Sequence, residues 1–411
     1  LRLAYFHPKF TEVGGAEILA LKHAELLREG GVDVEFVTFA VKGVFWEAPF
    51  RQWQVHVVPK RTWGDALGGW TRLGKLRLRA RRALPILQGF DAVLATNHPC
   101  CTMLGELDLP GRKLWYCNEA PRSLFPRETT PYATAALARL GPVTPGLEAL
   151  RKELQASQSP FGPYRSARKA SLAAIPRLEQ LLFNSRFTLE NARSAYGALE
   201  GEILYPVIEF PPPRAPRRGL DRETLRILVQ GRLTPLKNLE TVLAGFKRFH
   251  LKHPGAELHI LGSGPSKPSL QALAATGPGA GGTTFHGFLS QAEVDQLRER
   301  CSVFALLAMD EPFGMVYPEA AAQGLLLVGP DHGGPREILE DGRLGRLCDA
   351  LTPEAFEHAL EAILATGDAD LDQLRAQADL SCRSRFSAEA LGPQLLRAVT
   401  TGGGSAGAAR P

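Results

Sequence analysis

Short apolar runs alternate along the chain with longer stretches whose apolar positions recur every three or four residues. Leu1–Phe6, Val32–Phe39, Asp91–Thr96 and Lys113–Cys117 read as strands, and the periodic segment Glu17–Glu29 reads as a helix between the first two. The rhythm restarts after Arg218. Strand Arg226–Gln230, helix Leu239–His253, strand Glu257–Leu261, helix Gln291–Arg300 and strands Val303–Leu307 and Leu325–Val328 follow. Alternating strands and helices predict parallel sheets in an α/β architecture. The segment Pro211–Pro216 (PPPRAP) interrupts the pattern near mid-chain and reads as an interdomain linker. Two α/β domains of similar size with a cleft between them follow. Helical patterns at Glu354–Ala365, Leu371–Ala378 and Ala388–Val399 close the chain, and the Gly/Ala-rich Thr401–Pro411 reads as a disordered tail.

Composition narrows the class. The 411 residues are 44% hydrophobic and 22% charged, too apolar for a disordered chain. No apolar run approaches the ~18–20 residues of a membrane span. No charged and apolar leader precedes the first strand, so no secretion signal is expected. The chain does not begin with Met, so a trimmed N-terminus is expected. Cys100 and Cys101 are adjacent, Cys117, Cys301, Cys348 and Cys382 are scattered, and no C-x-x-C occurs. That argues against a disulfide scaffold or a zinc ribbon and for reduced, mostly buried thiols in a cytosol.

Charge adds a partner. Residues 1–210 hold 27 Lys/Arg against 20 Asp/Glu, whereas residues 211–411 hold 21 against 23. The basic half suits a phosphate or a lipid head group. Lys60–Arg82 carries eight basic residues and one acid, Asp65, interleaved with Trp63, Trp70, Leu73, Leu76 and Leu78. It reads as a patch for an anionic membrane surface or as a solvated face. No recognition motif accompanies it, so no nucleic-acid partner is expected.

Two loops carry candidate chemistry. Gly231-Arg232 follows a strand and Lys237-Asn238 opens the next helix, so Arg232 and Lys237 share one strand-to-helix loop. Ligands bind outside the carboxyl ends of strands in open α/β sheets, and two cations beside free backbone N–H groups suit a diphosphate. The second loop is Glu311–Glu319 (EPFGMVYPE), with one carboxylate in the loop and one on the following helix. Such a pair can accept hydrogen bonds from the hydroxyls of a sugar and a ribose. The plainer reading of each is a set of solvated charges, with the helix-start acid favoured by the macrodipole. Asp368-Ala-Asp370-Leu-Asp372 resembles a metal-binding D-x-D but falls at a helix start, where an exposed N-cap is expected. G-x-S-x-G at Gly403–Gly407 has no strand before it and fails as a nucleophile elbow. Gly262-Ser263-Gly264 is a weak dinucleotide hint, and His7 near the end of the first strand reads as structural.

Taken together in order, these segments resemble the family-four retaining glycosyltransferases. Glu311–Glu319 resembles the family's E-x7-E element. Gly231-Arg232…Lys237-Asn238, Ile260–Pro265 (ILGSGP), Phe285–Leu289 (FHGFL), Gly14-Gly15-Ala16-Glu17 and Asn184–Phe187 (NSRF) follow in the family's order over about residues 1–400. The resemblance implies two Rossmann-like domains facing each other across a cleft, the GT-B fold. Residues 1–207 would form the N-terminal acceptor-side domain and 208–385 the nucleotide-sugar-binding domain. A helix at 386–400 would cross back to the first domain, and 401–411 would form the tail. It implies retaining transfer of a hexose from a GDP- or UDP-sugar to a glycan or lipid-linked acceptor, on the cytoplasmic side and peripheral to the inner face of the membrane. No metal and no cofactor are expected, the nucleotide-diphospho-sugar being a substrate. A sugar-nucleotide epimerase or hydrolase, or a non-catalytic sugar-nucleotide-binding protein, is the alternative.

By the same resemblance, Arg232 and Lys237 would bind and stabilise the departing diphosphate. Glu311 would hold donor-sugar hydroxyls and Glu319 the ribose diol. The backbone of Phe313, Gly314 and Met315 would touch sugar and diphosphate, Leu289 would lie near the base, and Gly15 would bring the first domain's loop to the phosphates. In Trp115–Arg122 (WYCNEAPR), Asn118 stands where the family commonly has histidine. It can hydrogen-bond a hydroxyl but cannot titrate. The leaving phosphate would take the acceptor's proton on the front face, and closure of the two domains would exclude water.

Overall fold

The computed structural model describes every residue except Val13, 60–71, Ser123, 126–147, 149–164, 214–216, Pro278 and 402–411. Part of the Lys60–Arg82 patch, part of the Pro211–Pro216 linker, the G-x-S-x-G segment and nearly all of the tail lie outside the described residues. Contacts divide the chain into two units. The first holds residues 1–125, 165–207 and 388 onward, and the second holds residues 208–387.

The first unit winds as β1 (Arg2–His7), α1 (Gly15–Glu29), β2 (Asp33–Thr38), α2 (Val44–Phe50), β3 (Val55–Val57), α3 (Arg72–Leu87), β4 (Ala92–Ala95), α4 (Cys100–Glu106), β5 (Arg112–Cys117), α5 (Arg165–Ala174), β6 (Gln180–Phe183), α6 (Arg186–Tyr196) and β7 (Glu202–Ile203). Its sheet has the order β3-β2-β1-β4-β5-β6-β7, with all pairs parallel. Successive side chains of a strand point to opposite faces. Leu3 and Tyr5 of β1 accordingly join a core cluster with Leu19, Leu27 and Phe36, whereas Ala4 and Phe6 join another with Ala83, Met103 and Trp115. Both faces are covered, which is why these strands read as continuous apolar runs.

The second unit follows the same plan: β8 (Arg226–Gln230), α7 (Leu239–Lys252), β9 (Glu257–Leu261), α8 (Lys267–Ala274), β10 (Thr283–Gly287), α9 (Gln291–Arg300), β11 (Val303–Ala305), α10 (Val316–Ala322), β12 (Leu326–Pro330), α11 (Gly334–Ile338), β13 (Arg346–Cys348), α12 (Pro353–Ala365) and α13 (Asp368–Phe386). Its parallel sheet has the order β10-β9-β8-β11-β12-β13. The last helix, α14 (Ala388–Thr400), belongs to the first unit and packs on α1. Arg112 Nη1 donates to Val399 O at 2.7 Å and Gln394 Nε2 donates to Ile203 O at 2.8 Å.

Several sequence expectations shift. Regular pairing in the strand expected over Val303–Leu307 stops at Ala305, although Leu306–Met309 stay buried. The helix expected at Leu371–Ala378 is the middle of the 19-residue α13. Its acids Asp368 and Asp370 sit in the first turn, and the N-cap is Gly367, not an aspartate. Asp372 Oδ1 accepts from Gly219 N at 3.0 Å and from Arg375 Nη1 at 2.9 Å, a structural use of the D-x-D segment. All six cysteines are free and buried.

Candidate active site

In both sheets the strand order reverses beside the first strand of the unit, between β1 and β4 and between β8 and β11. Such a switch point leaves a crevice outside the carboxyl ends of the two strands, where helices depart to opposite faces. The second unit fills that place with charge.

After Gln230 the chain turns through Gly231-Arg232-Leu233-Thr234 into a single 3-10 turn, Pro235–Lys237. Asn238 then adopts a left-handed conformation (φ 54°) before α7 begins. Asparagine tolerates that geometry better than most residues. Its side chain also locks the turn: Nδ2 donates to Leu307 O at 3.1 Å and Ala350 O at 2.6 Å, and Oδ1 accepts from Thr241 Oγ1 at 2.9 Å. Lys237 and Asn238 are therefore neighbours with separate tasks. Asn238 is buried scaffold, and Lys237 carries a half-buried charge.

The loop is braced from the side. Gly231 N donates to Leu261 O at 3.0 Å and Leu233 N to Ser263 O at 2.9 Å. A Cβ on Gly262 (φ 126°) would lie 2.0 Å from Gly231 O, and one on Gly264 would lie 2.4 Å from Leu233 O. These two glycines thus let one strand-end loop press its backbone onto the next. That packing accounts for the glycines of Gly262-Ser263-Gly264.

The carboxylates come from the β11–α10 connection. Asp310, buried and with φ 50°, donates its N–H to His332 Nε2 at 3.1 Å. Gly334 N donates to Glu311 O at 2.9 Å, and a Cβ on Gly334 would lie 2.4 Å from Pro312 O. The Asp331–Pro335 turn therefore fixes the Glu311 backbone. Tyr317 fills the space beneath, its hydroxyl donating to Leu306 O, and burial pushes its phenol well above the ordinary range. On this frame Glu311 Oε2 meets Lys237 Nζ at 2.5 Å, with the two side chains 15% and 26% exposed. Glu319 Oε2 instead meets Arg298 Nη2 at 2.7 Å.

The second unit thus brings Arg232, Lys237 and Glu311 to the switch point, with Phe313 and Gly314 in the adjoining turn. Arg232 is exposed. Phe313 is buried edge-on to Phe386 at 5.1 Å, and Gly314 has φ 99°. Met315 is the N-cap of α10. Leu289 is half-buried just before the Ser290/Glu293 capping box of α9. Gly15 and Asn118 lie in the first unit. Gly15 is the first residue of α1, whose N-cap Gly14 offers no side-chain bond. Asn118 follows β5, its Nδ2 donating to Asn97 Oδ1 at 3.2 Å and its carbonyl accepting from Asn184 Nδ2 at 2.8 Å. Three asparagines thus link the ends of β4, β5 and β6. His7 is buried, with Nδ1 2.7 Å from Thr96 Oγ1 and Nε2 3.5 Å from Glu17 Oε1.

Sequence reasoning missed Arg298 and Gln230. The signal was present: α9 buries Val294, Leu297 and Arg298, so an arginine stands on the apolar face. Among the described residues, no group of three or more His, Cys, Asp or Glu side chains is placed to hold a metal ion. No described helix is long and apolar enough to cross a membrane.

Two doubly wound parallel α/β units of this topology are those of the GT-B fold. The solved structure of Anabaena Alr3699/HepE in complex with UDP superposes with a TM-score of 0.71 at 14% identity, covering 96% of this chain and 98% of that one. Residues 215–392 match the family described as glycosyl transferases group 1. Glycogen synthase of Mycobacterium tuberculosis is 32% identical over 165 residues, 40% of this chain and 38% of that enzyme. The GDP-mannose-dependent alpha-(1-6)-phosphatidylinositol monomannoside mannosyltransferase of Mycolicibacterium smegmatis is 28% identical over 66% of this chain and 74% of its own length. Against the glycogen synthase, the chain spans well under half of the relative's length.

Proposed function

We propose that this protein is a retaining glycosyltransferase that moves a hexose from a UDP- or GDP-sugar to a glycan or lipid-linked acceptor, without a metal ion. The observation that carries this reading is the Lys237–Glu311 pair at 2.5 Å, beside Arg232, at the β8/β11 switch point within the residues that match group 1.

The chemistry follows from charge placement. Breaking the bond from an anomeric carbon to a diphosphate puts negative charge on the leaving group as the sugar becomes oxocarbenium-like. Arg232 and Lys237 meet that charge, and Lys237, held by Glu311, is placed before the reaction. Glu311, positioned by Lys237 and by its own backbone bonds, accepts from donor-sugar hydroxyls. Glu319 accepts from the ribose diol. Asn118 offers a neutral amide to an acceptor hydroxyl. The leaving phosphate takes the acceptor's proton, so no side chain is asked to be a nucleophile.

The relatives support both bases as candidates: one solved neighbour holds UDP, and one relative is GDP-mannose-dependent. That relative also acts on a phosphatidylinositol mannoside, which supports a lipid-linked acceptor. In the described part of the basic patch, α3 exposes Lys75, Arg77, Arg79 and Arg81. We assign this face to the anionic lipid of the inner membrane surface. Neutralising the four should abolish pelleting with anionic vesicles, and unchanged pelleting removes the assignment.

The reaction itself is tested by the anomeric configuration of the product, read by NMR with EDTA present. Retained configuration at an undiminished rate is expected. Inversion, or a rate restored only by a divalent ion, rejects the mechanism. Donor consumption that needs no acceptor favours the epimerase or hydrolase alternative.

A further inference from the structure

We infer that Arg298 is the positioning residue that sets Glu319 for the ribose. This rests on the donor-site reading above. Arg298 is only 5% exposed, and its one Nη2 splits two donors between Gln230 Oε1 at 2.8 Å and Glu319 Oε2 at 2.7 Å. Gln230 is the last residue of β8, directly before the Gly231-Arg232 loop. One buried cation therefore ties the switch-point strand to the carboxylate on α10.

The arrangement costs stability, which is what points to a use. Arg298 sits on the face of α9 that also buries Val294 and Leu297. Its Nε is buried and finds no acceptor among the described residues. An unsatisfied donor on a buried guanidinium is unfavourable, and an apolar side chain there would avoid it. Its carbonyl is held as well, accepting from Arg217 Nη2 at 2.6 Å, so the end of α9 is fixed behind the guanidinium. The return is geometric. Glu319 is 31% exposed, and with Oε2 anchored, Oε1 has no hydrogen-bond partner among the described residues. A carboxylate held at one oxygen presents the other in a fixed direction to a vicinal diol. Without the anchor, its rotamers would have to be ordered at binding.

The test compares UDP and GDP with their 2′-deoxy forms by calorimetric titration of the full chain. Wild type should prefer the ribose form of its nucleotide by about tenfold or more, the range of one charge-assisted hydrogen bond. Arg298→Met should reduce that preference to about twofold while leaving affinity for the deoxy form nearly unchanged. Arg298→Lys, which keeps a cation with three donors, should retain part of it, and this variant serves where the methionine variant fails to fold. A merely structural role would weaken both nucleotides equally and leave the ratio intact. An intact ratio in both variants, with the ratio lost in Glu319→Gln, overturns the role of Arg298 alone. Wild type that binds neither nucleotide overturns the donor-site reading, and this inference with it.

Discussion

The two units share one topology and load its switch point differently. Beside β8 and β11 stand Arg232, Lys237 and Glu311, two cations and a carboxylate. At the ends of β1, β4 and β5 the polar groups include hydrogen-bonding pairs, His7 on Thr96 at 2.7 Å and Asn118 on Asn97 at 3.2 Å, beside Glu17 and a Glu119–Arg122 ion pair whose charges offset each other. Fold supplies a crevice in each case, and side chains decide what enters it. Two cations beside one carboxylate suit a diphosphate, and a set of hydrogen-bonding side chains without excess positive charge suits hydroxyl-rich groups. The same contrast warns against reading function from net charge. Residues 1–210 carry the whole basic excess, yet the cations that define the proposed chemistry lie in residues 211–411, where acids slightly outnumber bases.

Three changes break or sharpen the contrast. The largest effect belongs to the charged side. Lys237→Ala removes a leaving-group cation and strands Glu311, and turnover should fall by about 10²–10³, the range for one preorganised electrostatic contact. Steady-state kinetics at saturating donor reads this, and a fall under threefold would remove Lys237 from the mechanism. In the first unit, Asn118→Ala should raise the acceptor KM by about tenfold, the worth of one lost hydrogen bond at the upper end of its range, with donor affinity unchanged. A matching loss of donor affinity would move Asn118 out of the acceptor role.

The third effect is on stability. His23 is buried in the first unit with Nδ1 3.1 Å from Tyr5 Oη, and burial pushes its imidazole down to about 3. Above pH 6.5 the ring is neutral in folded and unfolded chains alike. As pH falls toward 3, only the unfolded chain takes the proton, so stability drops by about 1.4 kcal/mol per pH unit. His98, pushed down to about 4 by burial, adds to the slope until pH 4. Chemical denaturation between pH 7 and 4.5 should show His23→Leu with a shallower acid slope than wild type. Equal slopes would show that His23 does not stay neutral.

The legibility of the sequence differed between elements for a physical reason. Strands β8 and β9 and helix α9 match their expected bounds residue for residue, because both faces are buried or a capping box marks the start. Strands β3, β7 and β13 escaped notice, since two or three residues carry no period. The candidate site was readable where chemistry is local, as in Arg232 and Lys237 on one loop. The bond from Lys237 to Glu311 crosses 74 residues and Arg298 to Glu319 crosses a strand, and such pairings exist only once the sheet order is set. Gly262 and Gly264 drew notice as a nucleotide hint, whereas their role is to let two loops touch.

The central claim is that the charged switch point of the second unit holds a nucleoside diphosphate. Thermal unfolding of wild type and Lys237→Ala, with UDP, GDP and their hexose conjugates in EDTA, addresses it most directly. A ligand at ~100 times its Kd adds ~2.7 kcal/mol to the folded state. The account predicts a clear upward shift for one base in wild type and a much smaller shift in Lys237→Ala. No shift with any nucleotide, or the same shift in both proteins, would contradict it.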